Sequence, residues 1–123
     1  MISFSRNKLN GGIPKELFGL ERLKRLNLSS NALEGRLPSE FATLKSIEYV
    51  DLSENRLLGV IPNQIGDLTN LMELRIANAG GLGGELPSSL GRLSSLEVLE
   101  MPGNSFQLQI PSEIGLLSNL REF

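Results

Sequence analysis

Six acidic residues, Glu48, Asp51, Glu54, Glu73, Glu97 and Glu100, lie in the stretches "IEYVDLSEN", "LMELRI" and "LEVLEM", and theirs are the side chains whose type would allow acid–base chemistry. A pair of carboxylates hydrolyses a glycosidic bond when one is protonated and the other charged. That division of labour needs a desolvating pocket to raise one pKa, and the surrounding sequence implies none. The acids are spread through a repeating pattern, which reads as a solvated face. With no His and no Cys in the chain, the usual zinc ligands and nucleophile–base pairs are missing. No catalytic residue, metal site or cofactor is expected, and the chain is not read as an enzyme.

Two further stretches have the composition of a site. In "ANAGGLGGEL", residues 77 to 86, four glycines would suit a phosphate cradle made of backbone N–H groups. The spacing matches neither G-x-G-x-x-G nor the Walker pattern, and no Lys follows. The glycines are read instead as absorbing a one-residue insertion, with a loop bulging towards a ligand as the alternative. The tripeptide "NLS" at Asn27 would accept a glycan in a secreted chain, although the repeat largely dictates the same letters.

The elements that position these residues follow from periodicity. Apolar–Pro pairs fall at Ile13-Pro14, Leu37-Pro38, Ile61-Pro62, Leu86-Pro87 and Ile110-Pro111, at intervals of 24, 24, 25 and 24 residues. Such spacing is the signature of a stacked repeat. Leu23, Ile47, Leu71, Leu96 and Leu120 form one apolar column, and Leu26, Val50, Leu74 and Leu99 a second. Phe4, Leu28, Leu52, Ile76 and Met101 form a third. Alternation in "LNLS" and "VDLS" predicts one short strand per repeat, and strands from successive coils stack in parallel into a single sheet. Asn7, Asn31, Asn55 and Asn104 fall where the chain leaves that strand, so their amides are expected to bond backbone groups in a turn that water cannot reach. Leu9, Leu33, Leu57, Leu82 and Phe106 are expected to return to the core. Gly11, Gly35, Gly59 and Gly84 supply the backbone freedom that follows. After each Pro, pairs such as Phe41 and Leu44 predict a short helix or 3₁₀ turn.

The rows match L-x-x-L-x-L-x-x-N-x-L followed by G-x-[IL]-P, a pattern that resembles the plant-type class of leucine-rich repeats along the whole chain. The resemblance implies an α/β fold: a right-handed solenoid with one parallel strand per 24-residue repeat on the concave face and short helical or 3₁₀ segments on the convex face. A single domain is expected over 1–123: a truncated repeat at 1–22, full repeats at 23–46, 47–70, 71–95 and 96–119, and the start of another at 120–123. Neither end carries a polar cap, so neighbouring repeats of a longer chain are expected as partners.

In this family the outward strand residues bind proteins or peptides. Carried onto this sequence, that face holds Arg25, Asn27, Tyr49, Asp51, Glu73, Arg75, Val98 and Glu100, with Asn7, Asn31, Asn55 and Asn104 as a structural ladder. The expected function is an interaction module of a receptor-like or adaptor protein. The alternatives are a secreted inhibitor resembling those of polygalacturonases, or a spacer without a ligand. Twelve basic against fourteen acidic residues, a net charge of -2, speak against nucleic acid. The short apolar runs speak against direct membrane insertion. Resemblance places the chain at the cell surface or in secretion, while the lack of Cys and of a signal peptide leaves an intracellular setting open.

Overall fold

The concave strands form where one inward residue is flanked by two outward ones. Among residues 1–107 and 109–123, which the computed structural model describes, there are ten strands. They are β1 (Ile2–Ser3), β2 (Asn10–Gly11), β3 (Arg25–Asn27), β4 (Ala32–Arg36), β5 (Tyr49–Asp51), β6 (Arg56–Gly59), β7 (Glu73–Arg75), β8 (Gly80–Gly84), β9 (Val98–Glu100) and β10 (Ser105–Phe106). Leu26, Val50, Leu74 and Leu99 are the middle residues of β3, β5, β7 and β9, and none is more than 1% exposed. Burying such a side chain contributes roughly 1.5–3 kcal/mol, and only a neighbouring coil on each side completes the burial.

The odd-numbered strands make a parallel sheet in the order β1-β3-β5-β7-β9, and the even-numbered strands make a second one in the order β10-β8-β6-β4-β2. The second sheet is additional to the single strand per repeat read from the sequence. Its residues, such as "ALEGR" in β4, alternate inward and outward as a strand should, and Leu33 is buried beneath it. The glycine at its far end, Gly35 or Gly59, takes a left-handed φ of 83° or 84° and turns the chain towards the convex side.

A left-handed residue also follows each concave strand, three positions beyond its end. Arg6, Ser30, Glu54 and Asn78 have φ between 50° and 57°, and Gly103 has φ of 70°. For residues other than glycine this conformation costs roughly 1–2 kcal/mol. Bonds from the next side chain offset it. Asn55 Nδ2 donates to the carbonyls of Leu28 (3.0 Å), Leu52 (2.9 Å) and Ser53 (3.1 Å), while its Oδ1 accepts from Leu33 N–H at 3.0 Å. Asn31 repeats this set with Phe4, Leu28, Ser29 and Leu9. Asn104 donates to Ile76 and Met101 and accepts from Ala79 N–H. Asn7 donates only within its own coil, to Phe4 and Ser5.

Water exclusion at these turns is narrower than the sequence reading had it. Asn55 is buried, Asn31 and Asn104 are half-buried, and Asn7 is exposed. Leu9 at 40% and Phe4 at 49% are likewise exposed rather than core, because the first coil packs against a neighbour on one side only.

Ala79 occupies the ladder position of the fourth coil and is fully buried, so the inserted residue is Gly80. The glycine-rich stretch is strand β8, paired to β6 and β10. A side chain at Gly83 would place its Cβ 2.4 Å from the Ser105 carbonyl oxygen, so these glycines let adjacent backbones approach.

On the convex side five 3₁₀ segments, Lys15–Gly19, Ser39–Thr43, Asn63–Asp67, Ser88–Arg92 and Ser112–Leu116, each follow a proline. Pro14, Pro38, Pro62, Pro87 and Pro111 hold φ between -75° and -57° and so pre-set the turn. Phe18 and Phe41 meet between the first two segments with ring centroids 5.6 Å apart.

Candidate binding face

The register of the concave sheet sets the candidate residues in two rows. Arg25 pairs with Tyr49, Tyr49 with Glu73, and Glu73 with Val98; in the other row Asn27 pairs with Asp51, Asp51 with Arg75, and Arg75 with Glu100. Adjacent members are therefore about 4.8 Å apart along the solenoid. All eight face outward from strands whose middle residues are buried, and of the eight Arg25 is the most open.

Most of the charge on this face is already paired. Arg75 Nη1 donates to Glu100 Oε2 on the next strand, and its Nη2 lies 3.4 Å from Glu73 Oε2 on its own strand. The hydrogen bond to Glu100 raises the guanidinium above its ordinary pKa against the opposing effect of burial. At the edge of the sheet Lys24 bonds Glu48 at 2.7 Å, and Arg121 lies 3.8 Å from Glu97.

Two groups behave differently. The Arg25 guanidinium carbon stands 4.2 Å from the centroid of the Tyr49 ring, and no carboxylate pairs with it among the described residues. Asp51 accepts from Ser53 N–H at 3.0 Å and from the Tyr49 hydroxyl at a long 3.4 Å, and among the described residues no cation is paired to it. Burial pushes the Tyr49 phenol above its usual pKa, the Asp51 charge adds to the shift, and Arg75 opposes it. Asn27 is engaged within its own strand end, where Oδ1 accepts from Ser29 N–H at 3.0 Å and from Ser29 Oγ at 2.7 Å.

The sign alternation along Asp51, Arg75 and Glu100, and the Lys24–Glu48 pair, are legible in the sequence. The Arg25–Tyr49 stack and the Glu73–Arg75 pair are not. The first depends on the rotamers of two residues directly opposite each other on β3 and β5, and the second on the rotamers of two residues that share a face of β7. Ser53 also does more than face solvent, since its Oγ accepts from Ala77 N–H at 3.0 Å.

Among the described residues no three His, Cys, Asp or Glu side chains gather as a metal ion would need, and no helix is long and apolar enough to cross a membrane.

A family model described as a leucine-rich repeat region matches residues 5–123. No curated protein sequence matches. Among solved structures, a plant peptide hormone receptor, RGFR1 in complex with RGF2, is 38% identical with a TM-score of 0.96, over 98% of this chain and 19% of that one. The ectodomain of the receptor kinase GASSHO1/SCHENGEN3 from Arabidopsis thaliana, in complex with CASPARIAN STRIP INTEGRITY FACTOR 2, is 37% identical with a TM-score of 0.94, over 97% and 14%. The Arabidopsis receptor kinase HAESA, in complex with the peptide hormone IDA and the co-receptor SERK1, is 31% identical with a TM-score of 0.93, over 98% and 21%. The chain thus spans about a fifth or less of the length of these receptors.

Proposed function

The chain belongs to the leucine-rich repeat family, in its plant receptor-like class, and from that premise we propose that its concave sheet binds a peptide or a protein segment as part of a receptor-like protein. One observation carries the reading. The outward rows of β3, β5, β7 and β9 bring the chain's single tyrosine, two arginines and three carboxylates onto one rigid parallel sheet. Tyr and Arg are the residue types on which interface energy concentrates, and a sheet fixed by buried leucines presents them at little ordering cost. The peptide hormones named with the similar receptors support the same reading.

The test is partner capture with the full-length protein followed by comparison of variants. Tyr49→Ala and Glu100→Lys, both on the concave face, should weaken binding by roughly tenfold or more each. Lys45→Glu, an exposed change away from that sheet, should leave it unchanged. Loss of binding with Lys45→Glu alone would overturn the proposal.

A further inference from the structure

Charge on the concave face is unevenly satisfied. Arg75 is shared by two carboxylates, Glu73 and Glu100, and among the described residues Asp51 on the neighbouring strand has no cation of its own. Three negative charges thus surround one positive charge over β5, β7 and β9. On β3 the reverse holds, where Arg25 has a ring beneath it and, among the described residues, no carboxylate paired with it. Stacking on Tyr49 occupies one face of the guanidinium but leaves its N–H edge free, and that edge is the geometry that receives a carboxylate. The open Arg25 on β3 and the carboxylates Glu73 and Glu100, which share a single guanidinium on β7 and β9, lie two to three strands apart, a distance of about 10–14 Å. An extended peptide crossing the strands advances about 3.3 Å per residue.

Resting on the concave-face reading above, we propose that the occupant of this face is an extended peptide with one acidic side chain over Arg25 and one basic side chain over Glu73 and Glu100, about four residues apart, an even separation that points both side chains at the sheet. The acidic group completes the open N–H edge of Arg25, while the basic group balances the surplus carboxylate around Arg75. A partner of a single charge sign satisfies one region and is repelled by the other. At physiological salt, fields are screened within about 8 Å, so the two regions act as separate contacts and their separation is itself a specificity element.

The probes are short synthetic peptides of neutral polar residues carrying one Glu and one Lys at systematically varied separations. Binding to the 123-residue chain is followed by fluorescence anisotropy, and the site is mapped by amide chemical shifts. Affinity should peak at a separation of about four residues and fall at three and five, where one of the two side chains points away from the sheet. Peptides at that spacing should bind roughly tenfold tighter than peptides carrying two Glu or two Lys. Arg25→Glu should abolish the preference, and replacing the peptide's Glu by Lys should restore binding to that variant. Circular dichroism confirms that the exposed substitution leaves the fold intact. Binding that ignores separation, absence of binding by every peptide, or failure of the exchanged-charge rescue would overturn the proposal. If shift changes nevertheless stay on β3, β5, β7 and β9, the concave reading stands without it; shift changes confined to the 3₁₀ segments would remove both.

Discussion

Arg25 and Tyr49 sit opposite each other on β3 and β5, and the guanidinium carbon of one lies 4.2 Å from the ring centroid of the other. A cation over an aromatic ring at a partly exposed site contributes about 0.5–1 kcal/mol. A double-mutant cycle of Arg25→Met and Tyr49→Leu in denaturant titrations should return a coupling of that size. A coupling indistinguishable from zero would mean that the stack contributes nothing to the fold.

The same ring makes alkaline stability a probe of its surroundings. Burial raises the folded-state pKa of Tyr49 above that of the unfolded chain, so folding favours the neutral phenol. The stability this contributes is present below the unfolded value of about 10 and is lost as pH rises through the folded value. Melting temperatures followed from neutral pH into that alkaline range should fall less steeply for Tyr49→Phe than for the parent. Parallel curves would contradict the burial effect.

Asn55 and Asn7 hold the same place in the repeat but differ in environment. Asn55 satisfies groups in two coils while buried, and Asn7 bonds only its own coil while exposed. Asn55→Ala should therefore cost about 1–3 kcal/mol, with a clearly smaller loss for Asn7→Ala. Ser53→Ala should also cost about 0.5–1.5 kcal/mol, because Ala77 N–H loses its acceptor. Equal losses at Asn55 and Asn7 would refute the dependence on burial.

These contrasts mark how far the sequence was legible. The columns through Leu26, Val50 and Leu74 could be read because burial between coils demands the same residue type at the same phase in every repeat. The second sheet was harder. Its β8 strand is mostly glycine, chosen for the close approach of Ser105 and Arg56 backbones, and glycine carries no alternation to read. On the face, Asp51 and Arg75 could be placed by phase, whereas the lean of Arg25 over Tyr49 depends on rotamers that column position does not specify.

On the convex side Ser89 is buried, and among the described residues its Oγ has no hydrogen-bond partner. An unsatisfied buried hydroxyl costs about 1–3 kcal/mol, so Ser89→Ala should be neutral to stabilising. Gly66→Ala, whose new Cβ would lie 2.3 Å from the Ser89 carbonyl oxygen, should be destabilising. Thermal melts of the two variants decide the matter, and a destabilised Ser89→Ala would show that the hydroxyl is in fact bonded.

Arg75 is the point at which stability and recognition can be separated. Its guanidinium is bonded to Glu100 and lies 3.4 Å from Glu73, so Arg75→Leu leaves two carboxylates facing each other near Asp51. The side chains are about a third exposed, at 30% for Arg75, 35% for Glu73 and 38% for Glu100, which limits the loss through solvent screening. We expect Arg75→Leu to cost about 1 kcal/mol or less, and more at low salt than at high salt because repulsion among the carboxylates is screened. Exchanging the pair, Arg75→Glu with Glu100→Arg, restores a cross-strand ion pair of the opposite polarity and should recover part of that stability, less the repulsion between the new carboxylate and Asp51 opposite it. The exchange moves the positive charge from β7 to β9, however, and a ligand matched to the native order should still bind roughly tenfold or more weakly. Stability and binding measured on the same preparations test both halves. If the exchanged variant recovers stability and retains full affinity, Arg75 and Glu100 serve the sheet alone and recognition lies elsewhere on the solenoid.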